Sequence, residues 1–161
     1  FNEHPEMKLV IAPHVVSDSH LKEILDKVKR PCIRYTEATE ENVTQADCLI
    51  IDCYGLLSSI YRYGEISYIG GGFGVGIHNV LEAAVYGIPV IFGPNNKKFR
   101  EAQHLLEQKG GFEVTGYDDF KRLMDKFLSD EAYLQQAGKA AGNYVNHNAG
   151  ALEKIMKDIN L

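Results

Sequence analysis

The sequence has no run of about eighteen apolar residues, so no segment is long enough to cross a bilayer as a helix. Basic residues are in deficit, because 17 Lys and Arg stand against 22 Asp and Glu, giving a formal net charge of -5. Nucleic-acid binders neutralise phosphates with clustered basic side chains, so this balance excludes nucleic acid as the main partner. Hydrophobic residues make up 45% of the 161 residues, and we expect a soluble chain with its own core.

Cysteine is also scarce. Cys32, Cys48 and Cys53 lie in apolar runs and have no CxxC spacing with a second ligand pair. The pattern predicts buried free thiols in a reducing compartment rather than a disulfide framework. The chain opens at Phe1 with no initiator Met and no signal-peptide pattern, and we expect it to be a piece of a longer protein.

Short apolar runs alternate along the chain with segments of helical periodicity. The strands are predicted at residues 7–12, 32–35, 48–54, 66–69, 90–92 and 112–115. Helices are predicted at residues 17–28, 56–63, 78–86 and 98–109 and from residue 117 onward, where Leu152, Ile155 and Met156 continue the pattern, while residues 36–45 read as a loop. This alternation predicts an α/β fold over residues 1–161, a single Rossmann-like doubly wound domain with a mainly parallel sheet and C-terminal helices.

The loop after Ile69 is the most unusual of those that follow predicted strands. Ligands of such sheets bind beyond the carboxyl ends of the strands, and here residues 70–76 hold five glycines in seven positions. A backbone this bare can approach a ligand closely, and the first N–H groups of a following helix can hold a phosphate. A tight turn that needs positive φ explains the same glycines without a ligand.

Two common nucleotide-binding motifs do not fit this stretch. The spacing fails GxGxxG, because the third glycine position falls on Ile77 or on Val75, and this disfavours an NAD site. No lysine occurs between Arg62 and Lys97, which excludes a P-loop. A phosphate bound here would belong to another class of ligand.

Asn79 and Glu82 stand three residues apart at the start of the predicted helix and are expected to share one face. A carboxylate can accept two hydrogen bonds from a vicinal diol such as ribose, and Asn79 can cap the helix or donate to a phosphate. A capping asparagine followed by a first-turn glutamate, favoured by the helix dipole, explains both residues without a ligand.

The segment from Tyr68 to Asn95, YIGGGFGVGIHNVLEAAVYGIPVIFGPN, resembles the C-terminal-domain signature of the 3-deoxy-D-manno-octulosonic acid (Kdo) transferases. In that family a glycine-rich turn leads to HNxxEAA and then to GxPVxxGP. The resemblance extends upstream through Ala12–His14 and residues 52–57, and downstream through residues 98–111. It implies a two-domain GT-B glycosyltransferase whose C-terminal domain binds CMP-Kdo, with no metal and no cofactor.

The resemblance also implies roles for particular residues. Gly71, Gly72 and Gly76 would line the phosphate, Asn79 would help to hold it, and Glu82 would receive the ribose hydroxyls. His78 would orient the turn. The donor-binding set that the resemblance implies is Pro13, His14, Gly55, Gly71, Gly72, Gly76, His78, Asn79 and Glu82. Family members commonly have an arginine after the proline at position 13, whereas this chain has His14; either His14 or Lys97 is a candidate replacement for that cation.

For the whole enzyme, the resemblance implies transfer of Kdo to a lipid A precursor at the cytoplasmic face of the bacterial inner membrane. The acceptor, the membrane contact and the catalytic carboxylate base would belong to an N-terminal domain, so this chain is expected to hold no catalytic residue and to be inactive alone. A UDP-sugar GT-B transferase or a UDP-GlcNAc 2-epimerase-like enzyme is the nearest alternative. A non-catalytic nucleotide-binding or scaffolding domain is the alternative from another class.

Overall fold

A computed structural model describes residues 1–150 of the chain. The chain divides into two compact units, Phe1–Ser59 and Ile60–Leu161. The periodicity at Leu152, Ile155 and Met156 lies outside the described residues. No helix within residues 1–150 has the length and apolar character needed to span a membrane.

The first unit is built on a three-stranded parallel sheet in the order β1-β3-β2. Its strands are β1 (Leu9–Ile11), β2 (Cys32–Arg34) and β3 (Cys48–Ile50), and its helices are α1 (Asp18–Lys27), α2 (Glu40–Val43) and, at its end, α3 (Leu57–Ile60). Helix α1 begins as predicted, because the Ser17 side chain accepts a hydrogen bond from the backbone N–H of His20. Leu21 of this helix packs with Cys48 and Ile50 in a small core.

The predicted loop over residues 36–45 is wrong in part. A 3₁₀ turn covers Tyr35–Glu37, and α2 follows within the same stretch. Thr39 and Asn42 form a reciprocal capping box: the Thr39 hydroxyl accepts from the Asn42 N–H, and the Asn42 side chain accepts from the Thr39 N–H. A single turn with no apolar stripe leaves no periodicity for sequence reasoning to detect.

The second unit is built on another parallel sheet, in the order β4-β5-β6. It contains a 3₁₀ turn (Tyr61–Tyr63), β4 (Ser67–Ile69), α4 (Leu81–Ala84), β5 (Val90–Phe92), α5 (Arg100–Glu107), β6 (Gly111–Glu113), α6 (Tyr117–Ser129) and α7 (Glu131–Asn148). Strand β5 lies in the centre, and its three residues are at most 1% exposed, as expected for a strand covered on both faces. The predicted α/β class with parallel strands is confirmed, with the strands distributed between two sheets.

Glycines set the distance between α7 and its neighbours in the second unit. Gly87 has φ +70 and lies in the turn after α4, whose C-cap is Val85 and not the glycine. A Cβ on Gly138 of α7 would overlap the carbonyl oxygen of Gly87. Gly110, before β6, likewise faces the α7 backbone at Ala141. Helix α7 therefore packs at backbone distance against both turns.

The helix predicted to begin near His78 and run to Tyr86 is much shorter. Helix α4 covers only Leu81–Ala84, and His78 and Asn79 lie in the turn before it. The His78 N–H donates to the Gly70 carbonyl, and the Asn79 side chain accepts from the Leu81 N–H, so both residues are committed to the turn. The apolar spacing of Ile77, Leu81 and Ala84 reflects burial of a turn and one helical turn together.

All three cysteines are free thiols, as predicted. Only Cys48 is fully buried, whereas Cys32 and Cys53 are partly exposed, so the prediction of burial holds for one of the three. Burial, reinforced by the neighbouring Cys32 thiol, raises the pKa of Cys48 to about 12. This thiol stays protonated and packs as a small apolar side chain.

Candidate functional site

The glycine-rich stretch Gly70–Gly76, here called the glycine loop, forms a closed turn at the carboxyl end of β4. The Gly71 carbonyl accepts from the N–H groups of Gly74, at 2.9 Å, and Gly76, at 3.2 Å. Gly71 and Gly76 have φ of +88 and +138, and a Cβ on Gly71 would overlap the Gly76 carbonyl oxygen. Both the positive φ and the close approach therefore require glycine at these positions.

A second loop, Gly93–Phe99, follows β5 and holds the glycine loop in place; we call it the asparagine loop. A Cβ on Gly72 would stand 2.6 Å from the backbone nitrogen of Gly93, so the two loops touch backbone to backbone. The Asn95 N–H donates to the Gly72 carbonyl at 2.9 Å, and its side-chain amide donates to the Gly74 carbonyl at 2.6 Å. The glycine loop is therefore a clamped turn rather than a flexible one.

A buried asparagine anchors the asparagine loop from beneath. The Asn96 side chain is fully buried; its amide donates to the Gly93 carbonyl at 2.9 Å and to Glu113 Oε2 at 2.6 Å. Its oxygen accepts from Gln103 at 2.6 Å. The Asn96 hydrogen bond holds the pKa of Glu113 below its usual range, although burial opposes the shift. A satisfied buried network of this kind fixes one loop conformation.

Sequence reasoning missed Asn95 and Asn96. The available signal was their position, because Gly93-Pro94-Asn95-Asn96 directly follows a buried strand at the same sheet edge as the glycine loop. Lys97, one candidate for the cation that replaces the expected arginine, pairs instead with Glu113 at 3.1 Å. Its ammonium group is thus engaged within the asparagine loop and β6.

Asn79 and Glu82 lie together, as the spacing predicted, although Asn79 precedes α4. The Asn79 amide donates to Glu82 Oε1 at 3.0 Å, while its oxygen accepts from the Leu81 N–H at 3.0 Å. Within residues 1–150 the other carboxylate oxygen, Oε2, makes no hydrogen bond. Burial, together with the Glu82 carboxylate, raises the pKa of Tyr61, which belongs to the same unit. Glu82 is therefore oriented by Asn79 and retains one oxygen that can accept from a ligand hydroxyl.

His78 lies between the glycine loop and Asn79. Its backbone N–H donates to the Gly70 carbonyl at 3.1 Å, and its ring carbon Cδ2 lies 3.5 Å from where a Cβ on Gly71 would stand. The ring therefore packs on the turn. A role in orienting the turn stays a prediction that this geometry allows.

The remaining predicted residues belong to the first unit. Pro13 and His14 follow β1, with His14 exposed, and Gly55 has φ +92 in the loop after β3. The same edge carries Asp52, whose side chain is 1% exposed and accepts from Arg34 Nε at 2.9 Å. Thr36 donates to it from its N–H and its hydroxyl. Burial opposes ionisation, but these hydrogen bonds outweigh it and hold the pKa of Asp52 below its usual range.

The donor-binding residues predicted from sequence line none of the surface of one cavity in the second unit. That cavity, of about 390 Å³, is bordered by Leu81, Arg100, His104 and Tyr144 among others. His104 Nδ1 and the Tyr144 hydroxyl lie 3.2 Å apart within it. Residues 1–150 contain no cluster of three or more His, Cys, Asp or Glu side chains suited to a metal ion.

Several 3-deoxy-D-manno-octulosonic acid transferases are similar to this chain. The Aquifex aeolicus enzyme is 31% identical over 128 residues, covering 78% of this chain and 35% of the relative. The Haemophilus influenzae enzyme is 29% identical over 160 residues, covering 96% of this chain and 37% of the relative. The chain thus spans about a third of the length of these relatives. No family model matches it.

A solved structure gives the corresponding comparison of folds. The C-terminal CMP-Kdo binding domain of WaaA from Acinetobacter baumannii superposes with a TM-score of 0.70 at 15% sequence identity. The match covers 89% of this chain and 92% of that domain. The chain matches the C-terminal domain of the Kdo transferases. The resemblance drawn from Tyr68–Asn95 is therefore confirmed, and so is the fold that it implied.

Proposed function

We propose that this chain is the donor-binding part of a Kdo transferase and that it binds CMP-Kdo. The observation that carries the proposal is the clamped glycine loop with Asn79 and Glu82 beside it, in a chain similar to Kdo transferases over most of its length. The name of the Acinetobacter domain, a CMP-Kdo binding domain, supports the choice of donor.

The glycine loop would hold the donor phosphate with its backbone. Among residues 1–150 no acceptor pairs with the N–H groups of Gly72 and Phe73. Gly72 is buried against Gly93, whereas Phe73 is exposed, so the Phe73 N–H is the donor that is open to an anion. Helix α4 has only four residues and begins after Asn79, so the loop, and not a helix end, would carry this contact. Donors already fixed in position would stabilise the negative charge that develops on the departing CMP.

Glu82 would bind the ribose of the donor. The hydrogen bond from Asn79 occupies one oxygen of the Glu82 carboxylate and leaves the other oxygen to accept from a ribose hydroxyl. Asn79 would then act on the ligand mainly by positioning Glu82, because both ends of its amide already have partners. Pro13, His14 and Gly55, which lie in loops of the first unit, remain predicted donor-binding residues.

In the whole enzyme, the acceptor would be a lipid A precursor, reached through an N-terminal domain that also supplies the base and the membrane contact. The reaction would then take place at the cytoplasmic face of the bacterial inner membrane. We expect the 161-residue chain alone to bind the donor and to transfer nothing.

Calorimetry with the 161-residue chain and CMP, CTP, UMP and UDP tests the proposal. We expect weak binding with a clear preference for the cytidine nucleotides, because only part of the donor's contacts lies in this chain. A preference for uridine nucleotides would favour a UDP-sugar enzyme instead. No binding of any nucleotide at millimolar concentration would favour a scaffolding domain.

A further inference from the structure

One arginine, Arg30, precedes β2 and another, Arg34, is its last residue, and the surroundings of the two side chains differ. Arg30 precedes the strand and pairs with Asp47, which precedes β3; Arg34 ends the strand and pairs with Asp52, just beyond β3. Because the strands are parallel, Arg30 lies at the amino edge of the sheet and Arg34 at the carboxyl edge. Ligands of parallel α/β sheets bind at the carboxyl edge.

All three guanidinium nitrogens of Arg30 donate hydrogen bonds within the protein. Its Nε donates to Asp47, its Nη1 donates to the carbonyls of Phe1 and His4, and its Nη2 donates to the Pro5 carbonyl at 3.0 Å. Its side chain is 13% exposed. This guanidinium ties the N-terminal residues to the sheet and has no face left for a ligand.

Arg34 uses only part of its donor set. Its Nε donates to Asp52 at 2.9 Å, and its Nη1 lies 3.6 Å from the exposed Glu37 carboxylate, beyond hydrogen-bond distance. Within residues 1–150 its Nη2 makes no hydrogen bond. The side chain is 32% exposed, so the terminal nitrogens of the fork reach solvent.

Asp52 aims this open fork at the carboxyl edge. Arg34 stands level with Ile50 in the sheet, yet its side chain binds Asp52, two residues further along β3. Asp52 is itself fixed by two hydrogen bonds from Thr36. The buried Asp52 carboxylate therefore accepts three hydrogen bonds, two from Thr36 and one from the Nε of Arg34. The terminal nitrogens of Arg34 remain available in the planar geometry that suits an oxyanion.

We propose that Arg34 is an oxyanion-binding residue of this chain and that Asp52 and Thr36 position it. The identity of the ligand rests on the proposed function: the oxyanion is the phosphate of CMP or the carboxylate of Kdo. Glu37 is the group that an incoming oxyanion would displace. Family members commonly have an arginine in the loop after β1, where this chain has His14. Arg34 of β2 would then supply the cation in place of that arginine.

The Nε–H resonances of Arg34 and Arg30, followed by NMR in the 161-residue chain, report on the two sites separately. Titration with CMP, inorganic phosphate or free Kdo should shift the Arg34 signal, and cytidine should not, while the Arg30 signal stays in place. A response to CMP and phosphate identifies the phosphate, and a response to Kdo identifies the carboxylate. No saturable shift of Arg34 with any of the three anions overturns the proposal.

Matched variants separate binding from folding. Arg34→Lys keeps the charge but gives up the fork, and it should weaken binding of the responding anion about tenfold. Arg30→Lys should lower the melting temperature and leave that affinity within about twofold, since it removes hydrogen bonds only to the protein. Equal affinity of Arg34→Lys and the parent contradicts the proposal. If no nucleotide binds the parent, the proposed function fails, and the phosphate and Kdo titrations still decide Arg34.

Discussion

At the scale of single residues, substitution of Glu82 distinguishes a role in ligand binding from a role in starting helix α4. We expect Glu82→Ala to weaken CMP binding tenfold or more, because hydrogen bonds to a charged acceptor contribute about 1.5 to 3 kcal/mol each. The free energy of unfolding should fall by only about 0.3 to 1 kcal/mol, the contribution of a first-turn carboxylate. Calorimetry and urea unfolding measure the two effects. A variant that binds normally but melts much lower would assign Glu82 to the helix start.

Asn79→Ala is the companion to that experiment. It removes the acceptor of the Leu81 N–H and the donor to Glu82, so stability should fall by about 1 kcal/mol. If Asn79 acts by positioning Glu82, affinity for cytidine and for CMP should fall together. A loss confined to CMP would instead make Asn79 a direct donor to the phosphate.

Asp52 gives the first unit a defined pH dependence. Its pKa is lowered in the folded chain, because the hydrogen bonds from Thr36 and Arg34 outweigh the effect of burial. The stabilisation is therefore present above the unfolded value, about 4, and is lost as pH falls through the folded value. We expect Asp52→Asn to reduce stability at pH 7 and to narrow the difference between pH 7 and pH 3. Urea unfolding at the two pH values measures this, and an unchanged difference would contradict it.

At the scale of loops and elements, the contact between the glycine loop and the asparagine loop is the most sensitive point. Gly72→Ala would drive a Cβ into the backbone of Gly93 at 2.6 Å, and we expect a loss of about 1 to 3 kcal/mol in stability together with weaker CMP binding. Gly74→Ala is the control, since its Cβ would meet nothing closer than 3.6 Å. Thermal unfolding of the pair tests the clamp, which equal stability of the two variants would refute.

The elements also indicate what sequence alone can predict. β5 was predicted with its observed bounds, because a buried central strand is a continuous apolar run between Pro89 and Gly93. The predicted start of α4, at residue 78, is wrong, because apolar spacing does not distinguish a helix from a turn that buries the same face. The glycine loop was located by its composition, whereas its clamp by Asn95 depends on a contact 21 residues away. The pairing of Arg34 with Asp52 likewise requires the register of β2 on β3, which no local pattern specifies.

At the scale of the whole molecule, the chain's length relative to similar proteins leads to a prediction about activity. Because it spans about a third of the Kdo transferases it matches, we expect the 161-residue chain to transfer no Kdo to a lipid A precursor. A product assay with CMP-Kdo, run beside a full-length relative as the positive control, measures this. Transfer by the chain alone would mean that the catalytic base lies within these residues.

The meeting of α7 with the turn after α4 has a consequence for how such domains diverge. A Cβ on Gly138 would overlap the Gly87 carbonyl oxygen, and Gly87 itself has φ +70, so neither position readily offers side-chain chemistry that natural variation could tune. A ligand contact can be exchanged for another of similar chemistry, but a space with no room for a methyl group, as at Gly138, excludes every side chain, and a positive φ, as at Gly87, strongly favours glycine. Across relatives that differ in their donors, we therefore expect Gly87 and Gly138 to vary less than the residues that touch the donor.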